Sequence, residues 1–427
     1  QIVKRVAILP ILILLLPVSV QDRSRIAARL VARPASSSEE LRPLESVASY
    51  KETLSNRGHS LDDQGILIET LDSANNIAEL NADVTFNPAS VMKLATSLVA
   101  LMRLGPDYRY RTDFLADGPI EAATGRLVGD LVVAGAADPM FSLHDAQEVA
   151  VALSKAGVTR VTGSLRIAGD FYYFATGYRS NLSRETSAEK LRGVLEQSGI
   201  RIEGQTVFGE NTGRVLVSHH SDQLSHLLLY QNAHSSNAIA EVIGESVGGP
   251  RAVQEYLTQR LRLRDSEIYV GRTSGLEFNR ITPRASLKVL RALLVVLESY
   301  SLKPEDVMPV AGIDTGTLRD RLYREGIRGS VVAKTGTLVS LEKGVSTLVG
   351  VAYTKARGPL LFAIFNSAGD VNTYRQLQDQ FLERLLDEGG GAVPVSRTED
   401  ALAEADRRSI VQVFREKQKT ASHNSAD

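Results

Sequence analysis

The sequence predicts an α+β protein of more than one domain, and three observations carry that prediction. A run with apolar residues at helical spacing, "ASVMKLATSLVALMRLG", lies between Pro88 and Gly105, as helix start and stop signals require. The last third, with "GSVVAKTGTL", "VSTLVGVAYTK" and "GPLLFAIFNS", alternates apolar runs with turns in the manner of a strand meander. From 113 to 215 the texture changes to short strand-like pieces, which reads as an inserted α+β module. A chain of 427 residues with 43% hydrophobic content can bury a large core and form two or more domains.

Taken in order, Lys4 and Arg5 precede an apolar stretch from Val6 to Val20 that is broken by Pro10 and Pro17 and closed by Gln21-Asp22. Residues 1–20 therefore read as a secretion signal or an uncleaved anchor, and the protein is expected in the periplasm or cell envelope. The stretch is shorter than the roughly 20 residues that span a bilayer. Residues 37–55 suggest an amphipathic helix, "GILIETLD" (65–72) a buried strand, and "SANNIAEL" a second strand. In the next helix Ser90 falls on the first turn, with Lys93 above it, because residues three apart share a helix face.

The insert holds "GRLVGDLVVAGAADP" and "VTRVTGSLRIAGD" as strand-like pieces, with helices at 144–156 and 186–199. Helical periodicity returns in "SDQLSHLLLYQNAHSSNAIAEVIGESV" and near 250–262 and 285–299, and "VNTYRQLQDQFLERLLDE" closes the meander. Residues 21–112 and 216–388 are thus expected to form one discontinuous domain around the insert at 113–215. Gly389-Gly390-Gly391 ends the compact part, leaving 389–427 as a charged tail with one helix at 399–417.

Composition narrows the chemistry. A net charge of −1 and no long basic cluster give no polyphosphate-binding surface, so nucleic acid is not an expected partner. The absence of cysteine removes thiol nucleophiles, disulfides and thiolate metal sites. His219-His220 and His226 lack metal-ligand spacing and read as a surface strand end, so neither a metal nor a cofactor is expected.

Three short motifs gain weight only together. Ser-x-x-Lys occurs at Ser90, Ser187 and Ser340, and Ser-x-Asn at Ser73, Ser235 and Ser422, while Lys-Thr-Gly occurs once, at Lys334. Only Ser90/Lys93, Ser235/Asn237 and Lys334/Thr335/Gly336 combine the chain order of a serine acyl-transfer site with a helix start, a loop between helices and a strand. A serine hydroxyl is a weak nucleophile until a neighbour takes its proton, and a lysine of lowered pKa can do so. Desolvation and the Lys334 cation would both lower Lys93. The helix amino end at Ser90 and the N–H of Thr337 would face a developing oxyanion. Ser235 and Asn237 would form the opposite wall, with Ser235 relaying a proton to the leaving group and Asn237 bonding Lys93 or substrate. Lys334, Thr335 and Thr337 suit a substrate carboxylate, and Gly336 would let substrate lie against the strand. The plain alternatives are a helix cap at Ser90 and ordinary turns at "SSN" and "KTGT".

These motifs, with "FNPASVMKLATSLVALMRLGPDYRYRT", "GDLVVAGAADP", "GVTRVTGSLRIAGD", "AGIDTGTL" and "NRITPR", resemble the penicillin-binding serine D-alanyl-D-alanine carboxypeptidase/endopeptidase family, its low-molecular-mass class C branch, over most of residues 62–385. The resemblance implies a β-lactamase/transpeptidase-like domain, a five-stranded antiparallel sheet with helices on both faces. It also implies Ser90 as the residue acylated by peptidoglycan stem peptides or β-lactam antibiotics, Lys93 as its base, and Ser235, Asn237 and Lys334 as the other polar groups. The family's Ser-Asp-Asn is Ser235-Ser236-Asn237 here, and its Asp-Gly-Ser-Gly-Leu is "GRTSGL" (271–276). The spacing from Ser90 to Ser235 leaves room for one inserted module rather than two.

Rival readings are a serine β-lactamase, which would need an added carboxylate to position water, and a catalytically silent cell-wall-binding scaffold. A third is the nucleophile elbow "GESVG" (244–248), which requires a preceding strand and a downstream histidine. Here the preceding segment reads as helix, and only His423 follows. His234, beside the second motif, reads as a loop residue.

Overall fold

In a computed structural model of the chain, the described residues are 44–72, 74–174, 183–402 and 409–414. The expected signal or anchor at 1–20 lies outside them. The first of two principal sheets has five strands, all antiparallel: β1 (Gln64–Thr70), β2 (Asn76–Leu80), β8 (Val331–Leu338), β9 (Val345–Thr354) and β10 (Gly358–Ser367). Their order is β8-β9-β10-β1-β2, so β8 is an edge strand.

Both faces of this sheet are covered, which explains why its strands read as continuous apolar runs. Along β10, Leu361, Ala363 and Phe365 join a core with helices α2 (Lys93–Leu104) and α8 (Pro283–Ser299). Leu360, Phe362 and Ile364 point the other way, onto α1 (Glu45–Asn56) and α9 (Val371–Glu388). The helices α5 (Leu224–His234), α6 (Asn237–Ser246) and α7 (Gly249–Arg260) complete the α2 side.

The second principal sheet has six strands in the order β6-β5-β4-β3-β7-β11, from Thr206–Phe208, Leu165–Asp170, Asp130–Ala136, Arg111–Asp117, Arg214–His220 and Ile410–Val413. Its own core packs under α3 (Leu143–Lys155) and α4 (Arg184–Gln197). The strand β11 corrects one expectation: part of the segment read as a helix at 399–417 pairs antiparallel with β7. The β-branched run Ile410-Val411-Gln412-Val413 suits a strand, and an open sheet edge offers main-chain partners. Another correction concerns His219, which is buried and paired with Asp145 at 3.0 Å rather than lying at a surface strand end. Among the described residues no helix is long and apolar enough to cross a membrane.

Polar side chains tie the α1/α9 layer to the sheet. Buried Asn366 accepts from Tyr50 Oη (3.1 Å) and Gln378 Nε2 (2.9 Å) and donates to Gln64 Oε1 (2.7 Å). Replacing Asn366 by Ala would leave Tyr50 Oη and Gln64 Oε1 without this partner and take one acceptor from Gln378 Nε2, which keeps Ser346. The expected loss is about 3 kcal/mol of stability, read by chemical denaturation.

Candidate active site

The turn that carries Ser90 is held in place before the helix begins. Asn87 Oδ1 accepts the Ala89 N–H at 3.0 Å, and Ala89 adopts a left-handed φ of 47°. Residues Ala89–Met92 then form a 3₁₀ turn, and α2 starts only at Lys93. Ser90 therefore sits just ahead of the α-helix and not on its first turn. The tighter 3₁₀ winding places residues i and i+3 almost in line, so Lys93 still reaches the serine.

The Lys93 amine is fully buried and has three close neighbours: Ser90 Oγ at 2.8 Å, Asn237 Oδ1 at 2.8 Å and the Ser274 carbonyl oxygen at 2.6 Å. Burial pushes its pKa from 10.5 down to about 7, with Glu241 pulling in the opposite sense. Desolvation thus provides the lowering. The Lys334 amine is buried as well, and burial together with the Lys93 charge holds it well below the ordinary lysine value. It lies 3.0 Å from Ser235 Oγ and 2.7 Å from the Thr335 carbonyl oxygen.

Ser235 closes α5 in the left-handed region, with φ 55° and ψ 37°. Ser236 then caps α6 by accepting from the Ile239 N–H at 3.3 Å. A serine fills this cap as an aspartate would, which explains why Ser-Ser-Asn keeps Asn237 in place. The "GESVG" rival fails locally, because Ser246 ends α6 and bonds back to Val242 O at 2.9 Å.

Strand β8 forms the third wall. On its outer side the Ala311 N–H donates to Val331 O and the Ala333 N–H to Pro309 O. Main-chain groups of alternate strand residues point the same way, so Thr335 and Thr337 turn theirs to this open edge. The Thr335 hydroxyl meets Thr317 Oγ1 at 2.8 Å, and Thr337 Oγ1 accepts from Arg375 at 2.9 Å. Gly336 has a different role from the one expected. A Cβ there would lie 2.1 Å from Thr347 Oγ1 and 2.5 Å from Pro88 O, so its bareness lets the strand press against the serine turn.

The three motifs therefore converge on one crevice. Sequence reading missed Glu241, one helical turn beyond Asn237, whose carboxylate holds Thr273 Oγ1 at 2.8 Å and Ser274 Oγ at 2.5 Å. It also missed the role of "GRTSGL". Ser274 supplies the carbonyl to Lys93, and Gly275 sits at φ 78° where a Cβ would come 1.9 Å from Ala89 O. The four-residue spacing of Asn237 and Glu241 was the available signal.

With this geometry in view, the sequence matches the D-Ala-D-Ala carboxypeptidase 3 (S13) family over residues 48–181 and 170–386. The chain belongs to that family. D-alanyl-D-alanine carboxypeptidase DacB of Haemophilus influenzae is 30% identical over 189 residues, which is 40% of this chain and 38% of that protein. A D-alanyl-D-alanine carboxypeptidase of an Actinomadura species is 40% identical over 80 residues, 18% of this chain and 14% of that protein. These matches span well under two thirds of either relative. A predatory peptidoglycan endopeptidase of Bdellovibrio bacteriovorus superposes with a TM-score of 0.67 at 22% identity, covering 79% of this chain and 95% of that one. Penicillin binding protein 4 of Haemophilus influenzae gives 0.62 at 20% identity, covering 76% and 96%. The fold is the transpeptidase-like one of these structures, as the resemblance implied.

Gly336→Ala tests the fit between strand and serine turn. The added methyl should force Pro88 away from β8, lowering the melting temperature and displacing Ser90 in a crystal structure of the variant.

Proposed function

We propose that this family member is a serine-type D-alanyl-D-alanine carboxypeptidase/endopeptidase that cleaves peptidoglycan stem peptides through an acyl-enzyme on Ser90 and is acylated there by β-lactams. The observation that carries the reading is the set of three contacts at the buried Lys93 amine, which decides where its protons go once it is neutral. A neutral amine has two N–H donors and one lone pair. Asn237 Oδ1 and Ser274 O take the donors, which leaves the lone pair for the Ser90 O–H at 2.8 Å.

In this reading Lys93 takes the proton as Ser90 Oγ attacks the carbonyl carbon of the penultimate D-alanine. The N–H groups of Ser90 and Thr337 receive the negative oxygen, each worth a few kcal/mol. The proton returns through Ser235 to the leaving nitrogen, the C–N bond breaks, and the terminal residue departs. Water then repeats the sequence on the ester and frees Ser90. A carboxylate on the departing residue favours the charged form of Lys334, which burial otherwise disfavours. Thr335 and Thr337 would offer hydroxyls to that carboxylate around the open edge of β8, while Gly336 lets the strand press against the serine turn.

We further propose that residues 21–112 and 216–388 act as the catalytic domain around an insert at 113–215, followed by a C-terminal segment from 389. Export to the periplasm or cell envelope, in keeping with residues 1–20, would place the enzyme with its substrate.

Fluorescent penicillin should label the wild type stably and Ser90→Ala not at all. Rapid release of label would favour the β-lactamase reading, and no labelling of the wild type the silent scaffold. Lys93→Ala should slow acylation by 10²–10⁴-fold.

The acylation rate should rise with pH through about 7, as Lys93 loses its proton. Between about pH 7 and 10.5 the unfolded chain binds a proton at Lys93 that the folded chain does not, so this group makes stability rise with pH across that window. Stopped-flow acylation and denaturation at several pH values measure the two effects.

A further inference from the structure

Beyond the three motifs, Arg375 reaches Thr337 from the α9 side of β8, and no ion pair engages its guanidinium among the described residues. Arg375, in the second turn of α9, is half-buried and donates to Thr337 Oγ1 at 2.9 Å. Its acidic neighbours are engaged elsewhere. Asp370 caps α9 by accepting the Thr373 N–H at 2.7 Å, and Asp379 is gripped by Arg321 at 2.7 Å. Among the described residues no carboxylate lies within ion-pairing distance of Arg375. The guanidinium borders a cleft of about 430 Å³ that continues from Thr337 past Gly344 and Gly369, with the exposed Lys343 on its rim.

The chemistry of the threonine follows. A hydroxyl has one proton, and here Arg375 occupies an acceptor position of its oxygen, so the proton must point elsewhere. The Thr337 main chain faces the open edge, and its hydroxyl proton is available to the same cleft. With a scissile carbonyl oxygen at the Thr337 N–H, the α-carboxylate of the leaving residue lies only a nitrogen and one carbon farther along the substrate.

We infer that Arg375 is a specificity-determining positioning residue, which holds the Thr337 hydroxyl as a donor to a free α-carboxylate on the substrate's leaving residue. The inference rests on the peptidase reading above and extends it to a residue outside the three motifs. Arginine cannot lose its charge and fixes its donors in a plane, so it sets the hydroxyl rotor at every working pH.

The test compares two substrates, a diacylated L-lysyl-D-alanyl-D-alanine and its C-terminal carboxamide, on the wild type and on Arg375→Ala. The wild type should prefer the acid. Arg375→Ala should lower kcat/KM for the acid by roughly 10–100-fold, chiefly through KM, as loss of a charge-assisted hydrogen bond does. Its rate on the carboxamide should stay within about twofold of the wild type, since an amide gains less from the fixed donor. Arg375→Lys, which keeps the charge and most of the packing, should recover part of the preference and secures the test if the alanine variant does not fold. Equal losses on acid and carboxamide, or no loss on the acid, would overturn the inference. Failure of the wild type to release D-alanine from the acid or D-alaninamide from the carboxamide would instead overturn the peptidase reading.

Discussion

The site depends on keeping one lysine amine dry. An ammonium removed from water without partners is strongly disfavoured, so a buried lysine either finds acceptors or gives up its proton. Lys93 does both. Its acceptors lie 144 residues away at Asn237 and 181 residues away at Ser274, on separate elements. The start of α2, the start of α6 and the 271–276 loop are thereby fixed around a single nitrogen. Lys334 adds a second buried amine, and two ammonium groups in one water-poor crevice repel each other. Proton affinity here is set by burial more than by any paired charge.

A second constraint is close approach of backbone. The serine turn is clamped from both sides, by Gly336 against Pro88 O and by Gly275 against Ala89 O. Thr347 adds a hydroxyl bonded to Pro88 O at 2.8 Å. The left-handed Ala89 between these contacts is of the kind that costs about 1–3 kcal/mol and persists only where surroundings over-determine it. Such strain is stored directly beside Ser90, whose oxygen lies 2.8 Å from the Lys93 amine.

Much of this was legible in the sequence because it depends on short-range pattern. The period of "ASVMKLATSLVALMRLG" and the apolar meander pointed to the helix and the strands, the chain order of the three motifs to Ser90, Lys93, Asn237 and Lys334, and the family resemblance implied the five-stranded sheet with helices on both faces. What stayed hidden depends on approach between distant segments. No local pattern reveals that Gly336 faces Pro88, or that a carbonyl at Ser274 meets Lys93. The strand at 410–413 was hidden for a related reason: a four-residue, largely apolar run flanked by charged residues takes its conformation from the sheet edge it meets, and that edge is made by residues about 200 positions earlier.

The C-terminal segment links these two levels. After α9 the chain bonds Val393 N–H to Tyr353 O and Val395 N–H to Gly329 O, so it follows the meander before β11 joins the second sheet. On the way Arg397 pairs with the buried Asp314 at 3.2 Å, and Asp314 accepts the Val310 N–H at 2.8 Å. The turn that follows carries Gly316, packed against Ala233 O, and Thr317, whose N–H donates to that same oxygen and whose hydroxyl meets Thr335. One turn thus touches the end of α5 just before Ser235 and the strand just after Lys334. The same two walls also meet directly through Lys334 Nζ and Ser235 Oγ at 3.0 Å, so this turn is one of two links between them. That turn is held in turn by a salt bridge from a segment lying beyond the last helix.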